Sequence, residues 1–320
     1  LGATAGAALA PIHASTPDAV IRAADGALIR AKKLRRGSVG CATAEDAVLA
    51  ARAIAVSARL MAVRFDRLEG LTAHLQPVVS LRTGEVTGLE ALARWDCPEL
   101  GPIAPGEFLP AAQHLGLLHL VSRQVRAEAL RAYAALRREG LRPGRLALNL
   151  SAAELLREDV VVGLEREVEQ AGLDLDVITI EITEDTVLDR VAHATLDRLA
   201  ALRGRGARIA LDDFGTGTSG LAQMLRVPLD VIKLDRSFTA GLGLDGRAER
   251  IVEGAVRLAH SMGLDVVAEG IETPGQMRAL AALRCDQGQG YLWAMAMPAE
   301  ALAPWLRGQS PPRPRRLSVV

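Results

Sequence analysis

The segment Ile209–Gly220, IALDDFGTGTSG, runs a short apolar strand into two adjacent carboxylates, Asp212 and Asp213, and then into a glycine-rich turn. Side chains alternate faces along a strand, so one acid is expected to face apolar packing, where an unpaired charge costs several kcal/mol. A neutralising partner is therefore expected. From about residue 70 onward, similar β-rich runs recur: AHLQPVV, TGLEALARW, RLALNLS, VITIEITE, RIALDDF, VIKLDRSF, DVVAEGIE and GQGYLW. The segments between them place apolar residues at helical period, as in Val121, Val125, Ala132 and Leu136, or Ile251, Ala255, Val256, Ala259 and Met262. Eight β-α units over about 250 residues predict an α/β fold, a closed (β/α)8 TIM-like barrel. Only LRTGEV separates the first two strands, too little for a crossover helix. They are expected to be antiparallel neighbours, which makes the barrel irregular.

The balance of 38 basic against 38 acidic residues in a chain of 320 gives no global field toward nucleic acid or anionic lipid, so an anionic ligand must be met locally. Cys41, Cys97 and Cys285 are odd in number and widely spaced, which argues against a disulfide framework or a CxxC zinc site and for a reducing cytoplasm. No apolar run approaches the ~18 to 20 residues that span a bilayer, and the N-terminus does not read as a signal peptide. The chain begins at Leu1 and reads as a fragment, with an upstream sensor or membrane region expected outside it.

Reactive groups of such a barrel stand at the C-terminal strand ends. Read in order, those ends offer Glu90, Asn149, Glu181 with Glu184, Asp212 with Asp213, Lys233 with Asp235, Glu269 with Glu272, and Gln289. So many carboxylates on one rim repel one another unless cations sit among them. Oxygen ligands and one amide, without histidine or cysteine, select a hard ion such as Mg2+ or Mn2+ over zinc. Asp212 and Asp213 can each face one of two ions, the usual apparatus for in-line cleavage of a phosphodiester. A Schiff-base role for Lys233 is disfavoured, because surrounding acids keep it protonated.

These residues carry a resemblance. GLEALARW is similar to the signature of the EAL domain family, and the likeness continues through Gln76-Pro77, NLS at Asn149, EITE at Glu181, DDFGTG at Asp212, IKLDRSF at Lys233, AEGIE at Glu269 and QGY at Gln289. The resemblance implies an irregular barrel that hydrolyses the bacterial second messenger cyclic di-GMP to linear pGpG with Mg2+ or Mn2+. It further implies that Glu90, Asn149, Glu181 and Asp212 hold a first ion, and that Asp213 and Glu269 join Asp212 around a second. Lys233 would orient or help deprotonate the attacking water, with Glu90 and Glu269 counted beside it as catalytic. Arg94, one helical-turn distance beyond Glu90, would grip a phosphate oxygen. Gln76, Leu92, Gln289 and Pro298 would line the nucleotide pocket, Glu184 would anchor the loop after Asp213, and Asp235 and Glu272 would support the site or substrate from behind.

The chain departs from the family pattern at Thr218, Ser219 and Gly220, where an aromatic residue and Ser-Ser are usual, and near Pro298, which lacks a preceding arginine. That loop is associated in the family with the second metal and a homodimer contact, so its change bears on dimerisation and turnover. Two functions follow: a cyclic di-GMP phosphodiesterase, favoured because no metal ligand is lost, or a catalytically silent cyclic di-GMP receptor. Simpler readings also apply to single residues. Ser151 and Glu154 fit an SxxE helix cap, Glu272 suits the first turn of a helix, and His74, His114 and His119 show no metal spacing.

Residues 1–42, with the basic amphipathic run Ala24–Gly37, resemble the C-terminal end of a GGDEF domain, although the GGDEF signature itself is absent. Residues 43–69 read as a helical linker, 70–307 as the barrel, and 308–320, rich in proline and arginine, as a disordered tail.

Overall fold

The computed structural model describes residues 3–34, 37–63, 67–184, 193–215, 226–243 and 246–308. The altered loop at Thr218–Gly220 and the tail beyond residue 308 lie outside them. The chain divides into two compact units, Leu1–Gly70 with Trp95–Leu118, and Leu71–Arg94 with His119–Val320. Among the described residues no helix is long and apolar enough to cross a membrane.

In the first unit, β1 (Ala5–Ala7) pairs in parallel with β2 (Val39–Cys41). The helix Pro17–Leu34 connects them, starting ahead of the expected Ala24 because Pro17 suits a first helical position. Ala23, Ala27 and Ala42 form its small core. Thr43 caps the next helix, Ala44–Met61, in a reciprocal box with Asp46. Arg52 of that helix reaches Glu107 at 2.6 Å, on the helix Pro105–His114. The Trp95 and Phe108 rings meet edge to face at 5.5 Å.

The second unit is the barrel. Its strands are β3 (Leu71–Ser80), β4 (Val86–Cys97), β6 (Arg145–Asn149), β7 (Ile178–Thr183), β8 (Arg208–Phe214), β9 (Val231–Leu234), β10 (Asp265–Ala268) and β11 (Gln287–Gly288). A short β5 (Gly101–Ile103) folds back on the far end of β4. The strand order β3-β11-β10-β9-β8-β7-β6-β4 is closed into a ring by pairing of β3 with β4. β3 runs antiparallel to β11 while the other ring pairs are parallel, so β3 also opposes β4, as the short LRTGEV link requires.

Parallel strands covered on both faces need near-continuous apolar runs, and β7 and β9 are buried almost throughout. Alternate residues point outward into the main core, as Leu146, Leu148, Ile180, Ile209, Leu211, Ile232 and Val266 do, under the helices. The others point inward, where Val78, Ala210, Val231 and Val267 form a separate cluster inside the ring. In the helix Leu118–Arg138, Val121, Val125 and Leu136 are buried as their period predicts. The helix Gly246–Ser261 instead buries Val252, Val256 and Ala259, which leaves the expected core residue Ile251 exposed on the flank.

The last strand differs from expectation. It is Gln287–Gly288, sharing only its last residue with the GQGYLW run, and the chain then turns sharply past Ile271. A Cβ at Gly290 would lie 2.1 Å from the Ile271 carbonyl oxygen, so only glycine lets the backbones pass.

Gly144, which leads into β6, has φ of 80° and would place a Cβ 1.8 Å from the Thr87 carbonyl oxygen. Gly144→Ala is expected to lower unfolding free energy by ~2–4 kcal/mol, read as a fall in the urea midpoint at unchanged slope.

Candidate active site

Period-two alternation builds the site directly on the inward apolar layer. Two residues beyond Val231 stands Lys233, and two beyond Ala210, Val267, Thr179, Ala147, Gly88 and Gln287 stand Asp212, Glu269, Glu181, Asn149, Glu90 and Gln289. On β3, which runs the other way, Gln76 lies two residues before Val78. All eight ring strands thus contribute one polar side chain to the same end of the barrel.

Lys233 is the centre of this layer and is 2% exposed. Its Nζ lies 2.7 Å from Glu269 Oε1, 3.0 Å from Glu181 Oε1, 3.2 Å from Asp212 Oδ1 and 3.3 Å from Glu90 Oε1. Burial opposes its charge, but the four carboxylates outweigh burial and hold its pKa well above the usual lysine value. Burial and the neighbouring Glu90 charge push the Glu181 carboxyl well up, and burial raises Glu269 to about 7. Glu90 is held below its ordinary value despite burial, because Lys233 and the Gln289 amide favour its ionised form. One ammonium cannot balance all these acids, and burial disfavours the charged forms of Glu181 and Glu269.

The two adjacent acids of the opening segment share the rim because the strand breaks there. The β8–β9 register shifts between Leu211 and Phe214, and Asp213 adopts φ of 56°, rare for a residue with a side chain. This bulge brings carboxylate oxygens of Asp212, Asp213 and Glu269 within 4.8 Å of one another. A second group, Glu90, Glu181 and Asp212, meets the same limit, with Asp212 common to both. Asn149 Nδ2 donates to Glu181 Oε2 at 3.4 Å, which puts the amide beside the Glu90, Glu181 and Asp212 group. An all-oxygen donor set with excess negative charge fits hard divalent cations and not zinc. Just beyond, Gly215 N donates to Glu184 Oε2 at 3.0 Å.

The residues expected to meet the nucleotide make the following contacts within the chain. Gln76 and Gln289 are buried and form a chain of amides. Gln76 Nε2 donates to the Ala294 carbonyl at 3.0 Å, and Gln289 Nε2 donates to Gln76 Oε1 at 3.0 Å and to Glu90 Oε2 at 2.5 Å. Gln289 Oε1 is buried without a partner among the described residues. Leu92 and Arg94 follow Glu90 along extended β4, so Arg94 lies ~13 Å along the strand from Glu90 and not one helical turn away. Its guanidinium is half-buried and donates to the Ala93 carbonyl at 2.8 Å. Asp235 accepts from Ser237 N at 2.9 Å and caps the helix Arg236–Ala240. Glu272 is exposed just before the Thr273 cap of the helix Pro274–Ala282, and Pro298 is exposed at the start of the helix Ala299–Gly308. The Ser151–Glu154 capping box forms as its spacing predicts.

One supporting residue escaped sequence reasoning. Thr239, fully buried, donates from Oγ1 to the Glu269 carbonyl at 2.6 Å. A single threonine in a short helix carries no spacing signal that could have revealed this contact.

Comparison with known proteins agrees with this geometry. The EAL domain family matches residues 61–296. The chain is 34% identical over 306 residues to the cyclic di-GMP phosphodiesterase NbdA of Pseudomonas aeruginosa, covering 95% of this chain and 39% of that protein. It is likewise 34% identical over 305 residues to the cyclic di-GMP phosphodiesterase PdeR of Escherichia coli, covering 94% and 45%. The structure of the PaMucR phosphodiesterase in complex with c-di-GMP superimposes with a TM-score of 0.71 at 34% identity, over 78% of this chain and 99% of that one. The chain spans between 32% and 46% of the length of the first curated relatives it matches. With residues 61–296 matched by the family, the chain belongs to the EAL domain family.

Proposed function

We propose that the barrel is a metal-dependent phosphodiesterase that opens cyclic di-GMP to linear pGpG in bacterial signalling. The observation that carries this reading is the pair of acidic groups sharing Asp212 around Lys233. Glu90, Asn149, Glu181 and Asp212 would hold one Mg2+ or Mn2+, and Asp212, Asp213 and Glu269 the other. Two such ions, when bound, lower the pKa of an attacking water and neutralise phosphoryl oxygens.

The protein's own groups set the remaining chemistry. Lys233 keeps its proton and therefore serves as a hydrogen-bond donor that orients the attacking oxygen, not as a base. Gln289 and Gln76 fix the Glu90 carboxylate. Arg94, on the same face of β4 as Glu90 and Leu92, offers a planar fork suited to a phosphate oxygen. Glu184 ties the backbone after Asp213 and so steadies the bulge. Thr239 steadies the Glu269 backbone.

The proposal extends to the rest of the protein. On the same reading the β1–helix–β2 unit would be the end of a GGDEF domain, with an upstream partner, and the barrel would act in the cytoplasm. Support for a cyclic nucleotide as substrate comes from the names of the relatives.

Purified protein incubated with cyclic di-GMP and MgCl2 or MnCl2 is expected to yield pGpG by liquid chromatography, and EDTA is expected to stop it. Saturable binding without product would replace the enzyme by a receptor. Glu90→Ala is expected to lower turnover by on the order of 10^3-fold with an unchanged circular dichroism spectrum. Lys233→Met removes the only cation from the acidic layer among the described residues and is expected to destabilise the EDTA-treated protein by ~3–5 kcal/mol. MnCl2 should then raise the melting temperature of this variant more than that of the wild type.

A further inference from the structure

The turn that follows Asn149 is held by a buried ion cluster outside the acidic layer. β6 ends at Asn149, Leu150 N donates to the Glu181 carbonyl at 2.9 Å, and Ser151 begins a helix of only four residues, Ala152–Leu155. So short a helix has almost no stability of its own. Its form depends on Glu154, which is 4% exposed. One carboxylate oxygen, Oε2, accepts from Ser151 N at 3.2 Å and from Ser151 Oγ at 2.8 Å. The other, Oε1, accepts from Arg126 Nη1 at 2.7 Å.

Arg126 lies on the helix Leu118–Arg138 and is itself buried. Its Nε donates to Glu167 Oε2 at 2.7 Å, on the helix Val160–Gln170. The guanidinium therefore joins two long helices to the short one, and through the Glu154 carboxylate it fixes both the backbone and the hydroxyl of Ser151. Arg198 Nη1 secures the other end, donating to the Leu155 carbonyl at 2.7 Å. Asn149 is two residues upstream of Ser151 and carries the one neutral donor assigned to the first ion. Loss of the guanidinium would leave Glu154 buried without its cationic partner, a cost that moving the turn relieves.

We infer that Arg126 is a positioning residue: through Glu154 and Ser151 it sets the Asn149 amide for the first divalent ion. The inference rests on the assignment of Asn149 as a ligand of that ion. It implies that the buried cluster matters for metal affinity and not only for stability. It also implies that an uncharged pair, leucine at 126 with glutamine at 154, can do the same work, because glutamine still offers an oxygen to Ser151 and the charge that loses its partner, Glu167, is partly exposed.

The test is Mn2+ binding by calorimetry at 20 °C, with folding verified by circular dichroism, together with turnover at saturating MnCl2. Arg126→Leu is expected to weaken Mn2+ binding by about tenfold. The double variant Arg126→Leu/Glu154→Gln is expected to return within threefold of wild type, and it replaces the single variant should that one not fold. In an Asn149→Ala background, Arg126→Leu is expected to add no further loss. A lowered melting temperature with unchanged Mn2+ affinity in Arg126→Leu would overturn the inference, as would full additivity with Asn149→Ala. If Asn149→Ala itself binds Mn2+ like the wild type, the metal assignment fails first and the inference with it, an outcome distinct from both.

Discussion

The barrel is organised around one electrostatic problem, a ring of carboxylates converging on a single ammonium. Four acid oxygens lie within 3.3 Å of Lys233 Nζ, and Asp213 adds a fifth carboxylate at the rim. Such crowding is unfavourable for a stable core and is retained only where it has a use. The apolar layer one step below, Val78, Ala210, Val231 and Val267, supplies the dry floor that keeps the layer from relaxing into water. Because both layers sit on the same strands, packing of the floor aims the acids.

The surroundings show how the fold supports that layer. Site residues at the strand ends are steadied by neighbouring contacts: Gly215 N on Glu184 after the Asp213 bulge, Thr239 on the Glu269 carbonyl, and the Glu154 cap after Asn149. Backbone strain at Asp213, with φ of 56°, falls where the two acidic groups meet at Asp212. Strain in that place suggests a position held for chemistry, since an ordinary strand ending would have used glycine there.

Much of this was legible from the chain, because alternation with period two is a local property and seven of the eight polar positions stand two residues beyond an inward-facing one, Gln76 on the reversed strand being expected from the family resemblance alone. The reversed first strand was legible too, from the shortness of the Leu81–Val86 link. Less accessible were features decided by tertiary packing. Ile251 looked like a core residue and is exposed, because the helix turns Val252 and Val256 inward. The last strand begins before the GQGYLW run, since Gly288 and Gly290 must pass Ile271. The grouping of Trp95–Leu118 with the N-terminal residues has no sequence signal at all, and the buried partnership of Arg126 with Glu154 joins residues 28 apart. Gln76 and Gln289, expected to line the nucleotide pocket, have their amides engaged with each other and with Glu90.

That amide chain has a directional consequence. A backbone carbonyl such as that of Ala294 can only accept, which obliges Gln76 to present its nitrogen to it and its oxygen to Gln289. Gln289 must then turn its own nitrogen toward Glu90, leaving that carboxylate nowhere to lodge a proton on the side it faces. The main-chain carbonyl of Ala294 thus sets the direction of the amide chain, which together with Lys233 favours the ionised form of Glu90 before any ligand arrives.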